Sequence, residues 1–192
     1  KKNDNPATKE VMHYKDALWY GVAQIEKRPI LTTNLFISLV QIIKENQSGI
    51  RNTPGTQLKN PVSNTVVYTP PEGENVIREK LKNLEDFIHA EDTIDPLVKM
   101  AIIHYQFEAI HPFADGNGRV SRLLMNYIQF CYHLFPAKIF KEDREEYILS
   151  LRQSQEEESN QPFLNFMVRQ LKKSLLLEVR AYNCDMQDDL IF

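Results

Sequence analysis

The sequence predicts an all-α domain carrying one small β-hairpin. Two observations predict the helices: apolar residues recur at helical spacing along most of the 192 residues, and cap-plus-proline starts stand at Asn5-Pro6 and Asp95-Pro96. A third predicts the hairpin: between residues 49 and 75, four prolines, three glycines and a β-branched run replace the helical pattern.

The first helix is expected over 5–27, with Val11, Tyr14, Leu18 and Val22 marking its apolar face. Trp19, with Tyr14 and Tyr20, is expected in core packing rather than on a base-stacking platform. A second helix follows over 32–47 and ends at Ser48-Gly49. In 49–75 the run "TVVY" (65–68) is flanked by turn formers, which reads as a hairpin flap over about 56–69 with Pro61 to Asn64 near its tip. So long a stretch without helix inside a helical domain points to a functional loop. Helix returns over 76–90. Then 96–110, apolar nearly all round, is expected at the centre of the bundle. A helix over 119–133 shows Val120, Leu123, Leu124, Tyr127 and Cys131 on one face, and two more, 141–157 and 161–180, close the domain. There is no internal repeat. A single domain over 1–192, with its core over 5–180, is the expected organisation.

Composition narrows the function classes. The chain is 42% hydrophobic and 26% charged with a net charge of −3, and it carries no Lys/Arg stripe, so no nucleic-acid partner is expected. Cys131 and Cys184 stand far apart in sequence, unlike a disulfide scaffold or a thiolate zinc site. A reducing, cytoplasmic setting is expected. No apolar run reaches membrane-span length, and "KKNDNPATKE" is no signal peptide. The chain starts without Met, so further residues upstream are expected.

The chemistry concentrates in "HPFADGNGRVSR" (111–122). Pro112 stops the central helix at His111, and Phe113 is the expected apolar anchor of the loop. Asp115, Gly116, Asn117 and Gly118 form a turn of residues that tolerate positive φ, leading into the next helix. A glycine-lined turn at a helix N-terminus presents free N–H groups and the positive end of the macrodipole to an anion. Arg119 and Arg122, spaced i, i+3, add two guanidinium forks that suit a polyphosphate. Asp115 can hold a Mg²⁺ that bridges phosphates, and His111 is the one motif group able to take a proton near neutral pH. The set reads as a site for transferring a phosphorus-centred group. A metallohydrolase built on His104, His111 and Asp115 lacks the His-Glu-x-x-His spacing, and a plain connecting loop does not explain four such side chains together.

The stretch resembles the signature of Fic-domain proteins, His-x-Phe-x-Asp/Glu-Gly-Asn-Gly-Arg-x-x-Arg, at every fixed position. "RNTPG" (51–55) and "VVYTPP" (66–71) are similar to the flap region that precedes it in that family. The resemblance implies a Fic-type helical bundle and a protein adenylyltransferase using ATP and Mg²⁺. His111 would deprotonate a Ser, Thr or Tyr hydroxyl of the target protein, and Asp115 would bind Mg²⁺. Gly116, Asn117 and Gly118 would hold the α- and β-phosphates, with Arg119 on the β-phosphate side and Arg122 on the γ-phosphate. Val66, Val67 and Tyr68 of the flap would pair with the target backbone as an added strand, and Tyr147 is a candidate for the adenine pocket. Glycine at 118, where the phosphorylating Doc-type relatives carry lysine, favours AMP transfer. AMP removal, transfer of another nucleotide, and a toxin-like module held off by an antitoxin-like protein stay open, as does a homo-oligomer. Many relatives carry an inhibitory Ser/Thr-x-x-x-Glu-Gly/Asn helix. Here only "SQEEES" (154–159) and "SLLLEV" (174–179) match in part, Glu178 being the better candidate, and an upstream inhibitory segment is preferred.

Overall fold

The structure, a computed structural model, describes residues 5–59 and 64–188. The chain forms two compact units, Lys1–Tyr132 and His133–Phe192.

The first unit runs α1 (Pro6–Lys27), α2 (Thr33–Lys44), β1 (Leu58–Lys59), β2 (Val66–Tyr68), α3 (Glu74–His89), α4 (Pro96–Ile110) and α5 (Asn117–Cys131). The caps explain the boundaries. The Thr32 hydroxyl accepts from the Leu35 N–H at 3.3 Å to start α2, and the Asp95 carboxylate accepts from the Leu97 N–H at 2.9 Å to start α4. Helix α2 stops three residues before the expected end, because Glu45 turns left-handed at φ 50° and its N–H closes back onto Gln41 and Ile42. Helix α5 starts two residues earlier than expected, at Asn117, because Gly116 alone takes the left-handed cap at φ 92°.

Helix α4 is the buried centre, packing on α3 and α5. Met100, Ile103, His104 and Phe107 on it are almost wholly enclosed. Helix α1 buries a different face from the expected one. Its enclosed positions are Ala17, Gly21 and Ile25, while Val11 and Trp19 are 67% and 61% exposed. The reason is close approach. The Tyr127 hydroxyl of α5 donates to the Ala17 and Leu18 carbonyls at 2.8 and 3.2 Å. A Cβ on Gly21 would lie 2.0 Å from that oxygen, so small residues mark the contact line and the large apolar ones lie off it. Cys131, placed on the apolar face of α5 by spacing, is exposed.

The two strands pair antiparallel, Leu58 opposite Tyr68 and Lys59 opposite Val66, with an irregularity between Leu58 and Lys59. Of the expected tip, Pro61 to Ser63 lie outside the described residues; Asn64 turns left-handed at φ 53°.

The second unit holds a 3-10 turn (Lys141–Asp143), α6 (Arg144–Glu156) and α7 (Gln161–Asp188). The Ser154 hydroxyl accepts from the Phe163 N–H at 3.0 Å, joining the two helices. Lys173 on α7 ties down the turn through Glu142 and Asp143, each at 2.8 Å. Helix α7 runs past the expected end at 180, to Asp188. Among the described residues no helix is long and apolar enough to cross a membrane.

Candidate active site

The loop between α4 and α5 is fixed by three devices. His111 caps α4 in the left-handed region, φ 49°, with its N–H still bonded to the Phe107 carbonyl at 3.0 Å; that turn releases the chain from the helix at a residue Pro112 already bars from continuing it. Phe113 is fully buried and its ring sits 6.1 Å from Phe107, which in turn meets Phe36 edge-on at 5.6 Å. Phe113, expected as the loop's apolar anchor, thus packs into the core. The third device is Asn117. Its side chain accepts from the Phe113 N–H at 2.9 Å and donates to the Phe113 carbonyl at 2.7 Å, so a buried amide staples the loop to the first residue of α5. The side chain of Asn117 is therefore committed to the loop, and what it can offer an anion is its backbone N–H.

Positive φ falls on His111 and Gly116, not along the whole turn from 115 to 118. Gly116 also lies against α2, where a Cβ would come 3.0 Å from Val40 Cγ2. Beyond it the N–H groups of Arg119 and Val120 bond to the Gly116 carbonyl, both at 3.0 Å. Those of Asn117 and Gly118 come before the first intrahelical bond and point out of the helix end. These are the N–H groups that the sequence reading expects to face an anion.

Charged side chains crowd its rim. Asp115 accepts from its neighbour's N–H, Gly116, at 2.6 Å and is paired by the Lys44 ammonium of α2. The bond from Lys44 holds its carboxyl below the usual carboxylate value. Arg119 reaches Asp115 at 3.3 Å and Glu10 of α1 at 2.6 Å, giving a chain of alternating charge Glu10, Arg119, Asp115, Lys44. Arg122 bonds the Tyr14 hydroxyl, whose pKa is raised by burial and pulled back by that arginine. Arg122 Nη1 and Glu108 Oε1 each lie 3.4 Å from the place a Cβ on Gly118 would occupy, and Glu108 accepts from the Ser121 hydroxyl at 2.5 Å.

His111 itself is half-buried, and its Nδ1 is buried with no hydrogen-bond partner among the described residues. Desolvation lowers its pKa first, and the Arg51 charge lowers it further; the Glu108 backbone carbonyl and Asp115 act in the opposite direction. The result is an imidazole that stays neutral below its usual range, as a proton acceptor requires. His104, wholly enclosed on α4, is pushed down to about 3 by burial and the Arg122 charge; it is the packed histidine expected from the sequence.

The first unit thus brings together His111, Asp115, Gly116, Asn117, Gly118, Arg119 and Arg122. The flap residue Tyr68 belongs to the same neighbourhood: its hydroxyl donates to the Ala109 carbonyl of α4 at 2.9 Å. Val66 is exposed, and the side chain of Val67 lies outside the description. Tyr147 and Glu178 belong to the second unit. Tyr147 packs against the Phe163 and Phe166 rings at 6.1 and 5.8 Å, and Glu178 pairs with Lys138 at 3.1 Å.

Four site residues were given no functional role by the sequence. Glu10 and Lys44 are charged residues in helices and look like any solvated face. Tyr14 reads as an apolar-face residue. Arg51 opens "RNTPG", which the resemblance placed in the flap region, but only its five hydrogen bonds show what it holds. Among the described residues no group of three or more His, Cys, Asp or Glu gathers as a metal cage. The exposed carboxylate of Asp115 beside the open N-terminus of α5 nevertheless fits Mg²⁺, which takes one or two protein carboxylates and fills its shell with phosphate and water.

A helical unit around a buried central helix, with its histidine loop feeding the N-terminus of the next helix, defines a Fic-type fold. The model of the Fic/DOC family matches residues 30–129, just over half of the chain, and the chain belongs to that family. It is 43% identical over 86 residues to the protein adenylyltransferase fic-1 of Caenorhabditis elegans, covering 44% of this chain and 17% of that one. It is 38% identical over 89 residues to a probable protein adenylyltransferase of Aquifex aeolicus, covering 46% and 27%. A solved structure of Fic-1 from C. elegans superposes with a TM-score of 0.78 at 25% identity, over 96% of this chain and 55% of that chain. The chain spans about a sixth to a quarter of the length of these two curated relatives.

Proposed function

We propose that this domain is a protein adenylyltransferase, moving AMP from ATP to a Ser, Thr or Tyr hydroxyl of a target protein and releasing pyrophosphate. One observation carries the reading: a single stapled loop sets His111 at one end and an open helix N-terminus flanked by two arginines at the other. The adenylyltransferase names of the relatives support it.

In the reaction the hydroxyl oxygen attacks the α-phosphorus. The new O–P bond forms as the bond to the oxygen bridging the α- and β-phosphorus atoms breaks; pyrophosphate leaves, and the hydroxyl proton passes to His111. The first-turn N–H groups of Asn117 and Gly118 and the dipole of α5 hold the phosphates. Arg119 turns from Glu10 and Asp115 to the β-phosphate side, while Arg122 faces the γ-phosphate. Asp115 would hold Mg²⁺, which when bound neutralises phosphate charge; Lys44 must then give up the carboxylate. Glycine at 118 keeps clear the space next to Arg122 and Glu108 that a lysine would enter. The flap, anchored by Tyr68, offers a strand edge for β-augmentation with the target backbone. A reducing, cytoplasmic setting completes the reading, on the spacing of the two cysteines.

The test is label transfer from ATP carrying the label at the α- or the γ-phosphate, with the wild type and His111→Ala. Protein-bound label from the α position, lost in the variant, is the expected result. Transfer from the γ position alone would replace the proposal with kinase chemistry.

A further inference from the structure

Arg51 lies in the loop before the flap, is 5% exposed, and makes five hydrogen bonds, four from its guanidinium and one from its backbone N–H. Its Nε donates to the His111 carbonyl at 2.7 Å, and its Nη2 to the Pro71 carbonyl at 2.6 Å and the Ile110 carbonyl at 3.4 Å. Its Nη1 donates to the Thr56 hydroxyl at 3.4 Å, and its own N–H donates to the Pro112 carbonyl at 2.9 Å. The partners fall into two sets. Ile110, His111 and Pro112 are the end of α4 and the start of the histidine loop. Thr56 and Pro71 flank the two strands of the flap. A further bond, from the Gly55 N–H to the Glu72 carboxylate at 2.7 Å, closes the base of the flap beside it.

We infer that Arg51 is a positioning residue that joins the flap and the His111 loop into one unit, so that a strand docked on the flap is held at a set distance from the His111 ring.

Three physical points support this. The carbonyls of Ile110 and His111 are among those a helix C-terminus leaves unpaired, and they sit at the negative end of the α4 dipole, which suits a cation. A guanidinium offers five donors in a rigid fork and can bridge acceptors on two segments; an ammonium offers three on a single atom and cannot span the same set. Among the described residues no carboxylate forms an ion pair with Arg51, so its charge is spent on loop carbonyls rather than on holding an acid in place. Glu72 and Tyr68 act on it only at longer range, against the lowering effect of burial. The same charge faces the His111 imidazole and favours its neutral form. Arg51 thus acts through His111 in two separable ways: the fork holds the backbone, and the charge tunes the ring.

Arg51→Gln and Arg51→Lys separate the two. The kinetic arm rests on the AMP-transfer reading; the other two use no nucleotide. With both variants shown to fold by circular dichroism, the His111 imidazole is titrated by NMR, and hydrogen exchange is followed over residues 56–59 and 66–71. In Arg51→Gln the His111 pKa rises and the flap exchanges faster. In Arg51→Lys the pKa stays near that of the wild type while the flap still loosens, a split that general destabilisation would not produce. α-Label transfer falls by about tenfold to a hundredfold in both, with the dissociation constant for ATP unchanged. A folded Arg51→Gln with the wild-type titration and wild-type flap exchange would overturn the inference; should that variant not fold, wild-type flap exchange in Arg51→Lys overturns it instead. If the wild type itself transfers no α-label, the AMP-transfer reading fails while the titration and exchange data still decide the role of Arg51.

Discussion

Replacing Asn117 with alanine tests the staple that holds the histidine loop. Two hydrogen bonds, at 2.9 and 2.7 Å, join its buried amide to both backbone groups of Phe113. Removing them leaves an N–H and a carbonyl without partners in a closed setting. Each orphaned buried group costs about 1–3 kcal/mol, so a loss of about 2–4 kcal/mol is expected once the small cavity lets water partly replace the amide. Asn117→Asp is the sharper companion. It keeps the acceptor for the Phe113 N–H but turns a carboxylate oxygen toward the Phe113 carbonyl, so it should destabilise at least as much despite its near-identical shape. Urea unfolding of the first-unit signal gives the stability change, and α-label transfer the activity, which should fall in both variants because the His111 loop loses its register to α5. A stability loss under about 0.5 kcal/mol in both, the range of an ordinary surface substitution, would refute the reasoning and leave Phe113 packing as the sole anchor.

Gly21→Ala places a Cβ 2.0 Å from the Tyr127 hydroxyl oxygen, so urea unfolding should show a loss of about 1–3 kcal/mol from overpacking, whereas Gly49→Ala, with nothing within 4 Å of its Cβ, should stay within about 0.5 kcal/mol. Lys44→Met frees Asp115 from an exposed ion pair worth at most about 1 kcal/mol; Mn²⁺ binding, read from the loss of the free-ion EPR signal, should tighten by up to about fivefold, and an unchanged affinity would show that Lys44 does not compete for the carboxylate. The acid limb of the α-label transfer rate should lie below pH 6.5, the ordinary value for histidine, because His111 is lowered from it; a limb above that pH would refute the neutral-base assignment. Stability should fall as pH drops below 6.5, since unfolded His104 takes up a proton that the folded chain refuses until about pH 3; thermal melts from pH 7 to 5 should show this decline, and His104→Leu should flatten it.

The sequence by itself determined the helical class, the central place of α4 and the crowding of His111, Asp115, Arg119 and Arg122 into 111–122. Each of these rests on local rules: periodicity, caps with proline, and residue types crowded into one short loop. Where tertiary contact overrides local pattern, the reading shifted. The face α1 buries is set by Ala17, Gly21 and Ile25, because Tyr127 needs small residues to come close; counting large apolar side chains placed Trp19 and Val11 inside when they are exposed. The division of roles inside the motif was equally out of reach, since spacing marks Asn117 as part of a phosphate turn but does not show its amide turned back onto Phe113. Only the folded chain brings Glu10, Lys44 and Arg51 to a site that starts at residue 111. Electrostatic and hydrogen-bonding partners are chosen by distance in space. A lone lysine at the end of a helix or an arginine in a proline-rich loop therefore carries no sign of the carboxylate or the carbonyls it will meet.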